Sequence, residues 1–284
     1  MRQHQSTDRA VLYPKHLLEA CAVTRAISLP GAFLVFLLFW TVAYPAARGR
    51  IDVQVLGFFT HGVNAVLVAI DVLISALPFP LQHMWYFIEY GAVYVLFSVV
   101  FWLADAEHPC NCPRDRNNFP GCSNEGDSNG DDRCRYIYAA LNWAPERIPL
   151  TIALLAVVFL VLTPIAVMLC HYAALCSHER AVRIECWTYF KGELDNSRIR
   201  PLPQDASTSW AVYFAQSPLL SARLYLQVRV ALCVGIIAIL GWSLAIDVPN
   251  FWGIYLTNWT LTIETVYMIL ALVAAVLAQQ HLEV

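Results

Sequence analysis

The sequence predicts an all-α protein, a six-span transmembrane helical bundle, and three observations carry that expectation. Its 284 residues are 58% hydrophobic and only 14% charged, where a soluble domain carries about 25% charged residues. The charges avoid six long apolar runs, each near the ~20 residues that a helix needs to cross the hydrocarbon core. The chain's start, with Arg2, Asp8, Arg9, Lys15 and Glu19, lacks the apolar centre of a signal peptide, so targeting falls to the first span. A net charge of −3 and the lack of a basic stripe give no reason to expect nucleic acid.

Taken in order, the apolar runs are A (27–44), B (53–77), C (84–104), D (148–176), E (224–246) and F (255–278). Run D contains Pro164, which a membrane helix tolerates as a kink. Run E carries Arg229 near its start, where a long side chain is expected to snorkel to the interface. Short links between A and B, B and C ("PFPLQH") and E and F ("DVPNFWG") make these pairs antiparallel neighbours. With the N-terminus inside, eleven of the 18 basic residues fall on the inner side and seven on the outer. That bias favours a cytosolic N-terminal segment (1–26), an outer loop (105–147) and an inner linker (177–223).

The outer loop gathers Cys110, Cys112, Cys122 and Cys134. An even number on an oxidising side points to two disulfides, with three possible connectivities. The C-x-C start and wide later gaps miss the paired knuckles of a zinc site. The acidic "DSNGDD" lacks the glycine and glutamate of a calcium loop. No metal or cofactor is expected. Cys21, Cys170, Cys176, Cys186 and Cys233 lie in or beside spans or in the inner linker and are expected to be reduced.

Ionisable residues inside spans are costly in lipid and turn toward the bundle interior. These are His61 and Asp71 in B, Glu89 in C and Glu264 in F. His61, Asn64 and Asp71 share one helical stripe, and Thr257, Thr260 and Glu264 share another. Two readings follow: a polar cavity between B and F, or interhelical hydrogen bonds that fix packing.

Several stretches resemble the rolling-stone-like membrane proteins: "YLTNWT" and "THGVNAVLVAIDVLIS", each opening a span, "VYVLFSVVFWLA", "YIYAALNW" and "RAISLPGAFLVFLLFWTVAY". More distantly the chain is similar to the androgen-induced-gene family, whose members include hydrolases of fatty-acid esters of hydroxy fatty acids. The resemblance implies a threonine and histidine pair, carried over by motif to Thr257 in "YLTNW" and His61 in "THGVN", acting on a lipid ester. It also implies a rival role without catalysis, in cell–cell fusion or adhesion through the outer loop. Asn258 and Trp259 depart from the hydrolase branch after the threonine, so the pair is expected to be separable from the activity. The order of spans is a circular permutation of the family's, which leads one to expect either a permuted protein or a piece of a tandem pair.

The topology by itself starts both B and F at the outer face, with His61 and Thr257 at similar depth. A threonine hydroxyl needs an adjacent base to become a nucleophile, and a neutral imidazole suits that task. The head of a helix offers unpaired N–H groups for an oxyanion. Asn64 could orient the imidazole, whereas Asp71, ten residues deeper, lies about 15 Å away along the helix. Asn258 and Glu264 complete the supporting polar set. The competing account makes Thr257 an N-cap worth about 1 kcal/mol, with His61 at the interface and Trp259 and Tyr255 in an aromatic belt. Membrane lipids are the expected surroundings, a lipid ester is the candidate substrate, and the sequence names no protein partner.

Overall fold

The computed structural model describes residues 15–43, 58–75, 77, 79, 81–104, 108–109, 133–134, 141–182, 217, 219–246, 253 and 255–282. Helix α1 runs Lys15–Leu38 and continues as a π turn, Phe39–Ala43. A second π turn, Phe58–Val63, leads into α2, Asn64–Ile74. Helix α3 is Met84–Leu103. Helices α4, Ile148–Val157, and α5, Thr163–Val182, are joined by a π turn at Val158–Leu162. Helices α6, Ala222–Ile246, and α7, Leu256–Leu282, complete the bundle. One pair of two-residue strands, β1 (His108–Pro109) and β2 (Arg133–Cys134), joins antiparallel with His108 opposite Cys134.

The expected all-α bundle is what forms. Among the described residues, five helical stretches are long and apolar enough to cross a membrane: His16–Thr41, Met84–Leu103, Ile148–Ala173, Ala222–Ala245 and Leu256–Gln280. Run B appears as the shorter Phe58–Ile74, about 25 Å at 1.5 Å per residue. Its expected beginning, 53–57, lies outside the described residues. Leu103 and Leu160 stand 76% and 75% exposed, and apolar side chains cover the outer faces of α3, α4 and α6. Water-soluble proteins seldom show so much contiguous apolar surface, whereas lipid accepts it at no cost. The chain is thus an integral, multi-pass membrane protein.

Helices α1 and α7 form the central pair, and α2, α3, α5 and α6 pack around them. Small residues permit that closeness. On α7, Ala271, Ala274, Ala275 and Ala278 form a buried stripe at helical spacing. On α1, a Cβ at Gly31 would come 3.0 Å from Thr260 Cγ2 and 3.5 Å from the Phe87 ring. Without a hydrophobic drive between helices in lipid, such close backbone approach supplies the packing energy. Replacing Gly31 with leucine is expected to cost about 1–3 kcal/mol or more through overpacking. The melting temperature in detergent, compared with wild type, measures that loss.

Two differences from the sequence expectation share a cause. Run A was expected from residue 27, but α1 begins at Lys15, and Arg25 is 4% exposed within it. Arg25 Nη1 donates to the Leu77 carbonyl at 2.8 Å, and His171 Nδ1 donates to the Phe79 carbonyl at 2.6 Å. The link after α2 is buried, with Leu77 at 1% and Phe79 at 3% exposure. Irregular backbone at this depth is tolerated only when protein groups satisfy its carbonyls. Arg25 and His171 do so, which draws the first turns of α1 into the bundle. His83, in the turn Leu81–His83 just ahead of α3, is pushed down to about 4, chiefly by burial and secondarily by Arg25.

The second difference is Arg229. Expected to reach the interface, it is 2% exposed, and its Nη1 lies 3.0 Å from Asp71 Oδ1. Its Nε donates to the Tyr225 hydroxyl (2.8 Å) and its Nη2 to Ser75 Oγ (3.1 Å), while Tyr267 donates to Asp71 Oδ2 (2.7 Å). The guanidinium also lies 5.0 Å from the centre of the Tyr225 ring. Arg229 is about two turns inside α6 and has a carboxylate opposite it, so pairing wins over snorkelling. Pro164 is tolerated within a helix, as expected, as the second residue of α5. Lacking an N–H, it follows the Val158–Leu162 π turn by two residues, where the helical hydrogen-bond ladder shifts register.

Candidate functional site

Helices α2 and α7 run in the same direction. The Asn64 side chain lies against the Glu264 carboxyl near the start of each, and Asp71 meets Tyr267 further along. The His61 turn therefore lies at the same end of the bundle as the head of α7, and it packs against α1, α6 and α7. Reckoned from Asn64 and Glu264, Thr257 stands about 6 Å nearer the helix head than His61; reckoned from Asp71 and Tyr267, the two stand level.

Thr257 is the second residue of α7 and is half-buried. Helix α7 starts at Leu256, so the residue in the capping position is Tyr255 and not Thr257. The N–H groups of Asn258 and Trp259 both reach the Tyr255 carbonyl, at 3.1 and 3.2 Å. The N–H groups of Leu256 and Thr257 stand in the same first turn, whose donors a helix does not satisfy internally. His61 lies in the π turn with its ring stacked on Phe39, centroids 4.0 Å apart and planes 18° apart. Its Nδ1 is buried and has no hydrogen-bond partner. Thr257 and His61 are thus held at one end of two parallel elements, and no hydrogen bond from His61 Nδ1 joins them.

The supporting residues divide. Asn258 faces α6, where its Oδ1 accepts from Ser243 Oγ at 3.4 Å. Thr260 donates to the Leu256 carbonyl (3.0 Å) and meets the Tyr90 hydroxyl of α3 (3.1 Å). Asn64 is 4% and Glu264 0% exposed, and both face the α2–α7 seam. Asp71 belongs to Arg229 and Tyr267 and does not serve His61. Glu89 was expected to turn inward, yet it is exposed on the outer face of α3. The aromatic set around "NW" is a packing device. Trp259 meets Tyr94 edge-on and Phe97 at a tilt, and it donates its indole N–H to the Gly253 carbonyl at 2.6 Å.

An apolar groove of about 420 Å³ lies between B and A. It is lined by Phe36, Trp40, Phe58, Gly62, Val63 and Val66, a size within the usual range of ligand pockets. Gly62 keeps it open, since a Cβ there would meet the Phe58 ring at 3.6 Å and Trp40 at 3.8 Å. The groove begins beside His61, its sequence neighbour. Phe36 and Trp40 are spaced four apart, as are Phe58 and Gly62, a spacing that could have pointed to facing ridges.

Cys110, Cys112 and Cys122 lie outside the described residues, as does most of the linker 177–223, and Cys134 ends β2. Cys21, Cys170 and Cys233 are free thiols. No group of histidine, cysteine or acidic side chains among the described residues is arranged to hold a metal ion. Comparison of the chain with protein-family models, with curated proteins and with solved structures finds no match.

Proposed function

We propose that this multi-pass membrane protein is a lipid-ester hydrolase of the rolling-stone-like or androgen-induced-gene type, with Thr257 as nucleophile and His61 as base. The observation that carries the proposal is the shared end of α2 and α7. A hydroxyl on a helix head and an imidazole with an open Nδ1 lie toward that end, and Gly62 and Val63, next to the imidazole in sequence, line an apolar groove. In the proposed reaction the Thr257 hydroxyl attacks the ester carbonyl while His61 takes its proton and returns it to the departing alkoxide. Water then cleaves the acyl-threonine with His61 again as base. The N–H groups of Leu256 and Thr257 would hold the oxyanion, and the groove would take the acyl chain.

The test is release of fatty acid from long-chain esters by the purified protein in detergent. Turnover by wild type that is lost in a folded Thr257→Ala variant supports the proposal. Absence of turnover in both leaves the non-catalytic role in fusion or adhesion, which would act through the 105–147 loop. For that loop we propose two disulfides, the pairing of β1 with β2 bringing residues 108 and 134 together at its ends. Cys110, Cys112, Cys122 and Cys134 are then expected to resist maleimide until reduced, in protein made in its native membrane. Labelling of all four without reductant contradicts both the disulfides and an outer location.

A further inference from the structure

Two buried carboxyls occur among the described residues, and they differ in one respect. Asp71 faces Arg229 at 3.0 Å, whereas Glu264, 0% exposed, faces no cation. The Asn64 amide lies against the Glu264 carboxyl as a hydrogen-bond donor, and beyond it no partner meets the two Glu264 oxygens or Asn64 Oδ1, all of them buried. A buried carboxyl met by one amide and no cation, with a further acceptor beside it, calls for a species that brings hydrogen or positive charge. Calcium takes six to eight oxygens, and three fall well short of that number. A proton needs only one carboxyl.

The groups on either side of Glu264 continue the same stripe. Toward the α7 head, His61 lies one turn from Asn64 on its own strand of helix, with Nδ1 open. Toward the other end, Tyr267 lies one turn from Glu264 and donates to Asp71 at 2.7 Å. Asp71 leads to Arg229, and Arg229 to Tyr225 and Ser75. The packed elements present Arg25 from α1, Asp71 and His61 from the α2 element, Arg229 from α6 and the Tyr90–Thr260 hydroxyl pair from α3 and α7. Residues three or four apart on a helix are neighbours, so each interval along this series is about one turn.

We infer that Glu264 is a proton-carrying station on a path along the α2–α7 seam, a function separate from ester hydrolysis. A proton arriving from one end forms an O–H bond on the Glu264 carboxyl. Its departure toward the other end breaks that bond and restores the carboxylate. Charge moved in this way is balanced by counter-ion flow across the membrane. Chains of intramembrane acids and histidines serve this role in pumps and transporters.

The experiment uses full-length protein in liposomes of neutral phospholipid with a pH-sensitive dye inside and a potassium gradient clamped by valinomycin. Wild type is expected to admit protons at least about ten-fold faster than protein-free vesicles, unchanged when choline replaces sodium. Glu264→Gln is expected to fall to the protein-free rate, and Glu264→Asp to keep part of the flux. Equal incorporation and unchanged melting in detergent establish that the variants are folded. Should Glu264→Gln fail to fold, Tyr267→Phe, which breaks the next step, is expected to slow the flux. A wild-type rate equal to that of protein-free vesicles overturns the inference, as does a sodium requirement or undiminished flux through Glu264→Gln.

Discussion

Replacing Arg229 with methionine, or Asp71 with asparagine, is expected to destabilise the bundle by about 3–5 kcal/mol, the usual cost of stranding one member of a buried ion pair. The pair lies at 1% and 0% side-chain exposure and ties α2 to α6, while Tyr267 adds α7. Removal of the guanidinium strands Asp71 and also leaves Ser75 and Tyr225 without their donor. The combined Asp71→Leu, Arg229→Met protein is expected to be less damaged than either single variant, because no uncompensated charge remains. Thermal unfolding in detergent of the three variants and wild type gives the coupling directly. Single variants as stable as wild type would show that the pair contributes little.

Loss of His61 is expected to reduce ester turnover by about 10²–10⁴-fold, the usual contribution of a positioned base. Thr257→Ala should abolish turnover, and Thr257→Ser should keep a measurable part, since serine supplies the same hydroxyl. Because nucleophile and base act as one unit, His61→Ala with Thr257→Ala should lose no more than Thr257→Ala alone. A purely structural role predicts a different pattern. Thr257 is not the cap residue of α7, so its alanine variant would then change stability little. Rates for wild type and the four variants on one long-chain ester, at matched melting temperatures, separate the two outcomes.

The spans were legible in the sequence because about twenty apolar residues in a row have few alternative uses. Asn64 and Asp71 were legible as one face for a similar reason, since helical spacing alone aligns them, whereas His61 lies in a π turn and stacks on Phe39. The partners across the bundle were not legible. Arg25 finds its acceptor at Leu77, fifty-two positions away, and Arg229 its carboxylate at Asp71. Charges near the ends of apolar runs look like flanking anchors until the packing of other helices is known. The start of α1 was misjudged for that reason, and Arg229 with it. The spacing of Phe36 with Trp40 and of Phe58 with Gly62 hinted at two ridges, but that they face one another across a groove depends on the packing of the two elements. The π turns at Phe39–Ala43 and Phe58–Val63 carry no proline to announce them, unlike the one before Pro164.

The most direct test of the proposed chemistry is to find which residue a fluorophosphonate acylation mimic modifies. Purified wild type, treated with a long-chain fluorophosphonate and digested, is expected to carry the adduct on the peptide that contains Thr257. His61→Ala should slow that labelling by about the same factor as turnover, since the base activates the hydroxyl. An adduct on any other residue, or equal labelling of wild type and Thr257→Ala, would contradict the assignment of Thr257 as nucleophile.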